Sequence, residues 1–266
     1  MVVRNRTKIM GILNATPDSF SDGGRYNEVE VAAKRAYEMV AQGADIIDIG
    51  GESTRPGFAK VPADEELARV IPVIKAVREV VDVPISIDTY KAEVAREAIK
   101  AGANIINDVW GAKADPMMAQ VAFETGAEII LMHNRDNKDY GDLLEDMKRD
   151  IDESIALCHR AGVSDDKIMI DPGIGFAKTY EQNLEAMRRL DEFVAIGYPV
   201  LLGTSRKSFI AKTLALPVDE RVEGTGATVC LGIAKGCEIV RVHDVVEMSR
   251  MAKMMDAMLG GVVHNG

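Results

Sequence analysis

A (β/α)8 TIM barrel, an α/β fold read as one domain over residues 1–266, is predicted by three features of this sequence. Eight short β-branched or aliphatic runs alternate with stretches of helical period. Several helical stretches stop at a glycine just before the next run, as at Gly43, Gly102, Gly126, Gly162 and Gly236, where a left-handed C′ residue ends a helix cheaply. Each apolar run also ends in a polar residue, and barrels of this class assemble their active sites at the C-terminal ends of the strands.

Taken in order, the strands are expected at 8–14, 45–51, 84–88, 104–109, 128–133, 167–171, 199–204 and 238–243. They are nearly continuous apolar runs because strands buried on both faces have no solvent side to alternate with. Helical period is clearest over 29–42, 65–81 and 143–161. A doubly wound open sheet fits less well, because the first strand runs into Asn14-Ala15-Thr16-Pro17-Asp18 and not into a glycine-rich dinucleotide turn. Gly224-Thr225-Gly226 is a lone G-x-G and reads as a flexible helix entry. Gly203-Thr204-Ser205-Arg206-Lys207-Ser208 lacks the glycine spacing of a P-loop.

Of the 266 residues 47% are hydrophobic and 28% charged, ordinary globular proportions that argue against disorder. No apolar run approaches the roughly 20 residues that span a bilayer, and no signal-peptide core precedes the first strand. A soluble, cytoplasmic protein with no membrane partner is expected. A net charge of -10 argues against nucleic acid as a partner. It does not exclude an anionic substrate, since local cations set the field of a cleft. Cys158, Cys230 and Cys237 have no C-x-x-C spacing and read as buried thiols.

The strand ends carry the chemistry. Arg241 and His243 are two apart and so project to one side of the eighth strand, a guanidinium beside an imidazole that suits a phosphate or diphosphate. The alternative for Arg241 is a buried ion pair with a neighbouring strand's carboxylate. Asp88 and Asp171 end the third and sixth strands, where they either accept hydrogen bonds from a substrate ring or cap the turns that follow. Only one of Asn107 and Asp108 can face inward, and parity does not choose. Lys207 offers a cation after the seventh strand, with Arg206 facing elsewhere. The small, polar loops at 17–24 and 50–57 read as lids that exclude water. The histidines show no metal-ligand spacing, whereas magnesium shared between Asn14 and substrate phosphates is compatible.

Seven motifs in order along the chain carry a specific likeness. They are Asn14-Ala15-Thr16-Pro17-Asp18-Ser19-Phe20-Ser21-Asp22-Gly23, Gly50-Gly51-Glu52-Ser53-Thr54-Arg55-Pro56-Gly57, Ser86-Ile87-Asp88-Thr89, Ile106-Asn107-Asp108, Asp171-Pro172-Gly173-Ile174-Gly175-Phe176, Gly203-Thr204-Ser205-Arg206-Lys207-Ser208 and Arg241-Val242-His243-Asp244. Together they closely resemble the dihydropteroate synthase family. The resemblance implies a transferase of folate biosynthesis, condensing (7,8-dihydropterin-6-yl)methyl diphosphate with 4-aminobenzoate to give 7,8-dihydropteroate and diphosphate.

By motif position it implies that Asp88, Asn107, Asp171 and Lys207 hold the pterin, with Met132 near its ring. Asn14, Thr54, Arg241 and His243 would hold the diphosphate, with Mg2+ on Asn14. Arg55, Pro56, Phe176, Ser205 and Lys207 would form the aminobenzoate site. Asp88, Asp171, Lys207, Arg241 and His243 would carry catalysis, by stabilising the departing diphosphate and an electron-poor pterin methylene. An arylamine is neutral at pH 7, so no strong base is required.

The family often carries a longer segment before the first strand, covering the lower face of the barrel; here Met1 to Thr7 precede it. Met248, Met251, Met254, Met255 and Met258 near the end read as helix packing onto the barrel, to which the resemblance adds homodimerisation through late helices. Two alternatives stand beside this reading. A pterin-dependent methyltransferase domain shares a related barrel but should lack the aminobenzoate motifs, and a non-catalytic pterin-binding barrel needs no diphosphate site.

Overall fold

The computed structural model describes residues 5–15, 24–52 and 60–260. Within them eight parallel strands pair in the order β6-β5-β4-β3-β2-β1-β8-β7. The strands are β1 (Lys8–Asn14), β2 (Ile46–Gly50), β3 (Ile85–Asp88), β4 (Ile105–Asp108), β5 (Glu128–Met132), β6 (Ile168–Asp171), β7 (Leu201–Leu202) and β8 (Ile239–Val242). A parallel bridge between Ile170 and Val200, with Ile170 N–H donating to Pro199 O at 3.0 Å, brings β6 to β7 and closes the barrel. β7 is shorter than the expected 199–204: Val200 joins it only through the bridge to Ile170, and residues 203 and 204 fall outside it.

The helices are α1 (Gly24–Ala41), α2 (Ala63–Val80), α3 (Ala92–Ala101), α4 (Met118–Thr125), α5 (Leu143–Ala161), α6 (Tyr180–Arg188), α7 (Leu190–Val194), α8 (Ser208–Leu214), α9 (Val222–Lys235) and α10 (Val245–Met258). The expected glycine stops hold: Gly102, Gly126, Gly162 and Gly236 are left-handed C-caps of α3, α4, α5 and α9, and Gly43 has φ +107°. Gly224 and Gly226 lie inside the start of α9 and serve close packing. A Cβ on Gly224 would stand 2.4 Å from Ile210 Cγ2, and one on Gly226 2.4 Å from Met251 Sδ. Thus the flexible entry expected there is a contact surface between α9 and its neighbours α8 and α10.

α6 opens with a capping box. Gln182 N–H donates to the Thr179 hydroxyl at 3.2 Å while Thr179 N–H donates to the Gln182 side chain at 2.7 Å. Thr179→Ala is expected to cost about 1 kcal/mol, read from the midpoint of urea unfolding.

Side-chain alternation builds two cores. Ile47, Ile49, Ile85, Ile87, Ile106, Ile129, Leu131 and Val240 point outward and pack under the helices. Met10, Ile46, Ile105, Ile130, Met169, Leu201 and Ile239 form a separate apolar plug inside the barrel. One inward step further along these strands stand Asp48, Asn107, Asp171 and Arg241 among Ile12, Met132 and Gly203, so the plug is the floor of whatever lies above it. At the opposite, N-terminal end a hollow of about 680 Å3 is rimmed by Arg6, Lys8, Asp45, Glu128 and Glu238, with Arg6 bonded to Asp45.

Cys158 and Cys237 are buried free thiols as expected, whereas Cys230 is only half-buried. Among the methionines of α10, Met248 is buried and Met251 and Met255 pack against the core, but Met254 and Met258 are exposed. No helix among the described residues is long and apolar enough to cross a membrane.

Candidate active site

Above the plug, at the C-terminal ends of the strands, opens a cavity of about 410 Å3. Its lining includes Asn14, Asp88, Asn107, Met132, Asp171, Phe176, Ser205, Lys207, Arg241 and His243. All the candidate residues within the described segments therefore meet in one place. Thr54, Arg55 and Pro56, and residues 17–23 of the first polar loop, lie outside the described residues.

Arg241 enters the cavity from β8. Its Nε donates to Asp48 Oδ2 at 2.6 Å and its terminal nitrogen to Asp88 Oδ2 at 2.7 Å, and Asn107 Nδ2 reaches Asp48 at 3.4 Å. The ion-pair reading of Arg241 therefore holds, with partners on β2 and β3, and the guanidinium also lines the cavity. Asp48 opens the polar stretch Asp48 to Glu52 at the end of the second run, where the sequence alone assigns it no role. Its signal was present in the sequence, a carboxylate in the middle of the apolar run Ile46–Gly50, where burial without a partner is too costly to be accidental.

Asp88 keeps one oxygen, Oδ1, buried and without a protein partner, an acceptor still to be satisfied. Burial pushes the Asp88 carboxyl up to about 7, against the pull of Arg241 and helped by Asp48, Glu66 and Asp108. The neighbouring pair at β4 resolves by parity in three dimensions. Asn107 faces the cavity, while Asp108 is fully buried and ties down the next turn by accepting from Trp110 N at 2.8 Å and Ala112 N at 2.7 Å.

Asp171 lies beside Met132 in the β5–β6 register. Its Oδ1 accepts from Gly173 N at 2.7 Å, so it holds the following turn, the second of the two roles read from its position, and it also lines the cavity. Gly173 has φ +64°, and a Cβ there would stand 2.0 Å from His133 O, so only glycine fits. Burial raises the Asp171 carboxyl, with Lys207 and then the Gly173 bond opposing.

Lys207 Nζ donates to Ile174 O and sits 4.9 Å from the centre of the Phe176 ring, a cation–π contact. Desolvation lowers the Lys207 ammonium to about 8 although Asp171 pulls it upward. Arg206 also borders the cavity, but its guanidinium bonds Asp244, with Nε to Oδ2 at 3.1 Å. Ser205 Oγ lies 2.9 Å from His243 Nδ1, which ties the ends of β7 and β8 together. Glu52, at the other end of that polar stretch and likewise without an assigned role, lines the cavity and is held by Tyr90 Oη at 3.0 Å and by Lys91.

Chemically, the floor offers buried carboxylates and an amide to a ligand rich in N–H donors, and the rim offers cations to an anion. Among the described residues no group of three or more His, Cys, Asp or Glu side chains is arranged to hold a metal ion. The exposed Asn14 can supply one hard oxygen, so a magnesium ion fits only if substrate oxygens and water complete its shell.

Comparison with known proteins gives a consistent result. The pattern of the family described as pterin binding enzyme matches residues 10–243. The dihydropteroate synthase of Bacillus subtilis is 61% identical over 99% of this chain and 93% of its own length. A crystal structure of the Clostridium difficile dihydropteroate synthase in the presence of pteroic acid superposes with a TM-score of 0.94 at 54% identity, covering 97% of this chain and 98% of the other. The Xanthomonas albilineans dihydropteroate synthase with 4-aminobenzoic acid gives a TM-score of 0.92 at 38% identity, covering 97% and 94%. With this likeness running through every strand that feeds the cavity, the chain belongs to the pterin-binding enzymes and, within them, to the dihydropteroate synthases, which are transferases.

Proposed function

We propose that the cavity joins (7,8-dihydropterin-6-yl)methyl diphosphate to 4-aminobenzoate, with the pterin on the carboxylate floor and the diphosphate at the cationic rim. The observation that supports this most is the unpaired, buried Oδ1 of Asp88 next to Asn107 and across from Asp171. A flat heterocycle with N–H groups along one edge satisfies all three acceptors at once. Met132 packs at the ring.

In this reading Arg241 and His243 take the diphosphate oxygens, with Asn14 and Thr54 beside them. Asn14 contributes the protein's ligand to Mg2+, which when bound neutralises charge on the leaving diphosphate. Arg55, Pro56, Phe176, Ser205 and Lys207 receive 4-aminobenzoate. The chain's own work is electrostatic: cations hold the leaving group while Asp88 and Asp171 stabilise the electron-poor ring. The neutral arylamine nitrogen forms the C–N bond as the methylene C–O bond to diphosphate breaks, and the proton the nitrogen then sheds passes to solvent, so no strong base is needed.

We further propose that residues 1–266 act as one pterin-binding domain, that the enzyme works in the cytoplasm, and that it forms a homodimer. Exposed Leu231, Met254, Met258 and Leu259 on and after the last two helices support the dimer.

The test is incubation of the protein with both substrates and magnesium, measuring diphosphate and dihydropteroate together. Both products are expected in equal amounts; diphosphate alone would indicate a hydrolase, and neither a pterin binder. A pH profile adds a second check. With an Asp88 carboxyl near 7 and a Lys207 ammonium near 8, kcat/KM for the pterin substrate should rise through about pH 7 and fall above about pH 8. Asp88→Asn should remove the rising limb. The same shift has a stability sign: because the folded carboxyl is raised above its unfolded value, the stability it contributes is present at low pH and lost as pH rises through about 7.

A further inference from the structure

On the far side of the loop that joins β6 to α6, three buried polar side chains form a chain that the proposed chemistry does not use. Lys178, His133 and Asp150 are 4%, 1% and 8% exposed, too deep to be incidental surface groups. Lys178 Nζ lies 2.9 Å from His133 Nδ1, 3.1 Å from Gly173 O and 3.2 Å from Phe176 O. Burial lowers the Lys178 ammonium to about 7, and in its charged form each of its three N–H groups has one acceptor. Since Nδ1 accepts, the imidazole proton is on Nε2, which donates to Asp150 Oδ2 at 3.0 Å. Asp150 is in turn gripped by Arg135, whose terminal nitrogen donates to Oδ1 at 3.2 Å. Burial, and next the Lys178 charge, keep His133 neutral by lowering it to about 4, as this arrangement requires.

The loop so held is one that would not keep its shape unaided. Gly173, Gly175 and Ala177 have φ of +64°, +91° and +45°, and the last is unfavourable for any residue with a Cβ. Its cavity side carries Gly175 and Phe176, and Lys207 Nζ donates to Ile174 O from that side. Lys178 grips the carbonyls of Gly173 and Phe176 from behind, so the position of the Phe176 ring depends on it.

We propose that Lys178, oriented by His133 and Asp150, is a positioning residue for the arylamine: it fixes the loop that presents Phe176 to 4-aminobenzoate. The inference rests on the assignment of Phe176 to the aminobenzoate site. Removing the three donors should therefore raise KM for 4-aminobenzoate more than it weakens the pterin, which Asp88 and Asn107 hold from β3 and β4, away from this loop.

In the full chain, Lys178→Met should raise KM for 4-aminobenzoate about tenfold, with kcat and the calorimetric Kd for the pterin diphosphate each within about threefold of wild type. Loss of kcat with both KM values unmoved, as from a smaller folded fraction, overturns the proposal, and so does an unchanged KM for 4-aminobenzoate. If Lys178→Met does not fold, Asp150→Asn decides. It leaves His133 an acceptor oxygen but removes the charge that aligns it, and should raise the same KM about threefold; no rise overturns the proposal. Phe176→Ala tests the underlying assignment separately. If that variant binds 4-aminobenzoate normally, Phe176 is not in the arylamine site, whatever Lys178 does.

Discussion

Arg241→Ala is expected to lower turnover about 100- to 1000-fold, the usual loss when a preorganised group facing developing negative charge is removed. It should also destabilise the fold by about 3–5 kcal/mol, since Asp48 and Asp88 would remain buried without the guanidinium that spans them at 2.6 and 2.7 Å. The two effects have different origins and can be separated. Adding Asp48→Asn to Arg241→Ala removes one stranded charge, so it should recover part of the stability in urea unfolding but none of the turnover. Arg241→Lys keeps a charge but cannot reach both carboxylates in a fork, and should fall between the parent and the alanine variant. Full turnover in Arg241→Ala, measured by diphosphate release on folded protein, would show that the guanidinium only neutralises its neighbours.

Asp171→Asn should weaken pterin binding by about 1.5–3 kcal/mol, the range for a hydrogen bond to a charged group, which is roughly 10- to 150-fold in Kd. The substitution is selective because the asparagine oxygen can still accept from Gly173 N, now 2.7 Å from Oδ1, so the turn should survive. What changes is the other half of the side chain, where an amide N–H would meet a ligand N–H. Titration with a pterin in the absence of 4-aminobenzoate isolates this term. An unchanged affinity would leave Asp171 with only its role in the turn.

Much of this site was legible before any coordinates, because short-range rules govern where a strand ends and which way its residues point. The eight polar strand ends, and the pairing of Arg241 with His243 on one face, follow from a period of two. Lys207 and Asp171 were found the same way. The choice between Asn107 and Asp108 was not, since adjacent residues on a short strand differ only in which side the barrel closes on. Asp48 belongs to the polar end of its run, but the sequence assigns it no role because its partner Arg241 is 193 positions away. Lys178 and His133 were missed for a related reason: their shared hydrogen bonds join β5, α5 and a loop, and nothing local marks them as a set.

By itself, then, the sequence determined the (β/α)8 architecture, the catalytic face and most of the chemical inventory there, because hydrophobic period and helix-stopping glycines act over a few residues. Only the tertiary structure decided the state of those groups. It showed that Arg241 spans two carboxylates, that one buried oxygen of Asp88 has no protein partner, and that the loop bearing Phe176 is held from behind by Lys178. Burial and ion pairing depend on which distant strands closure brings together, and that contact set is fixed only when the barrel closes.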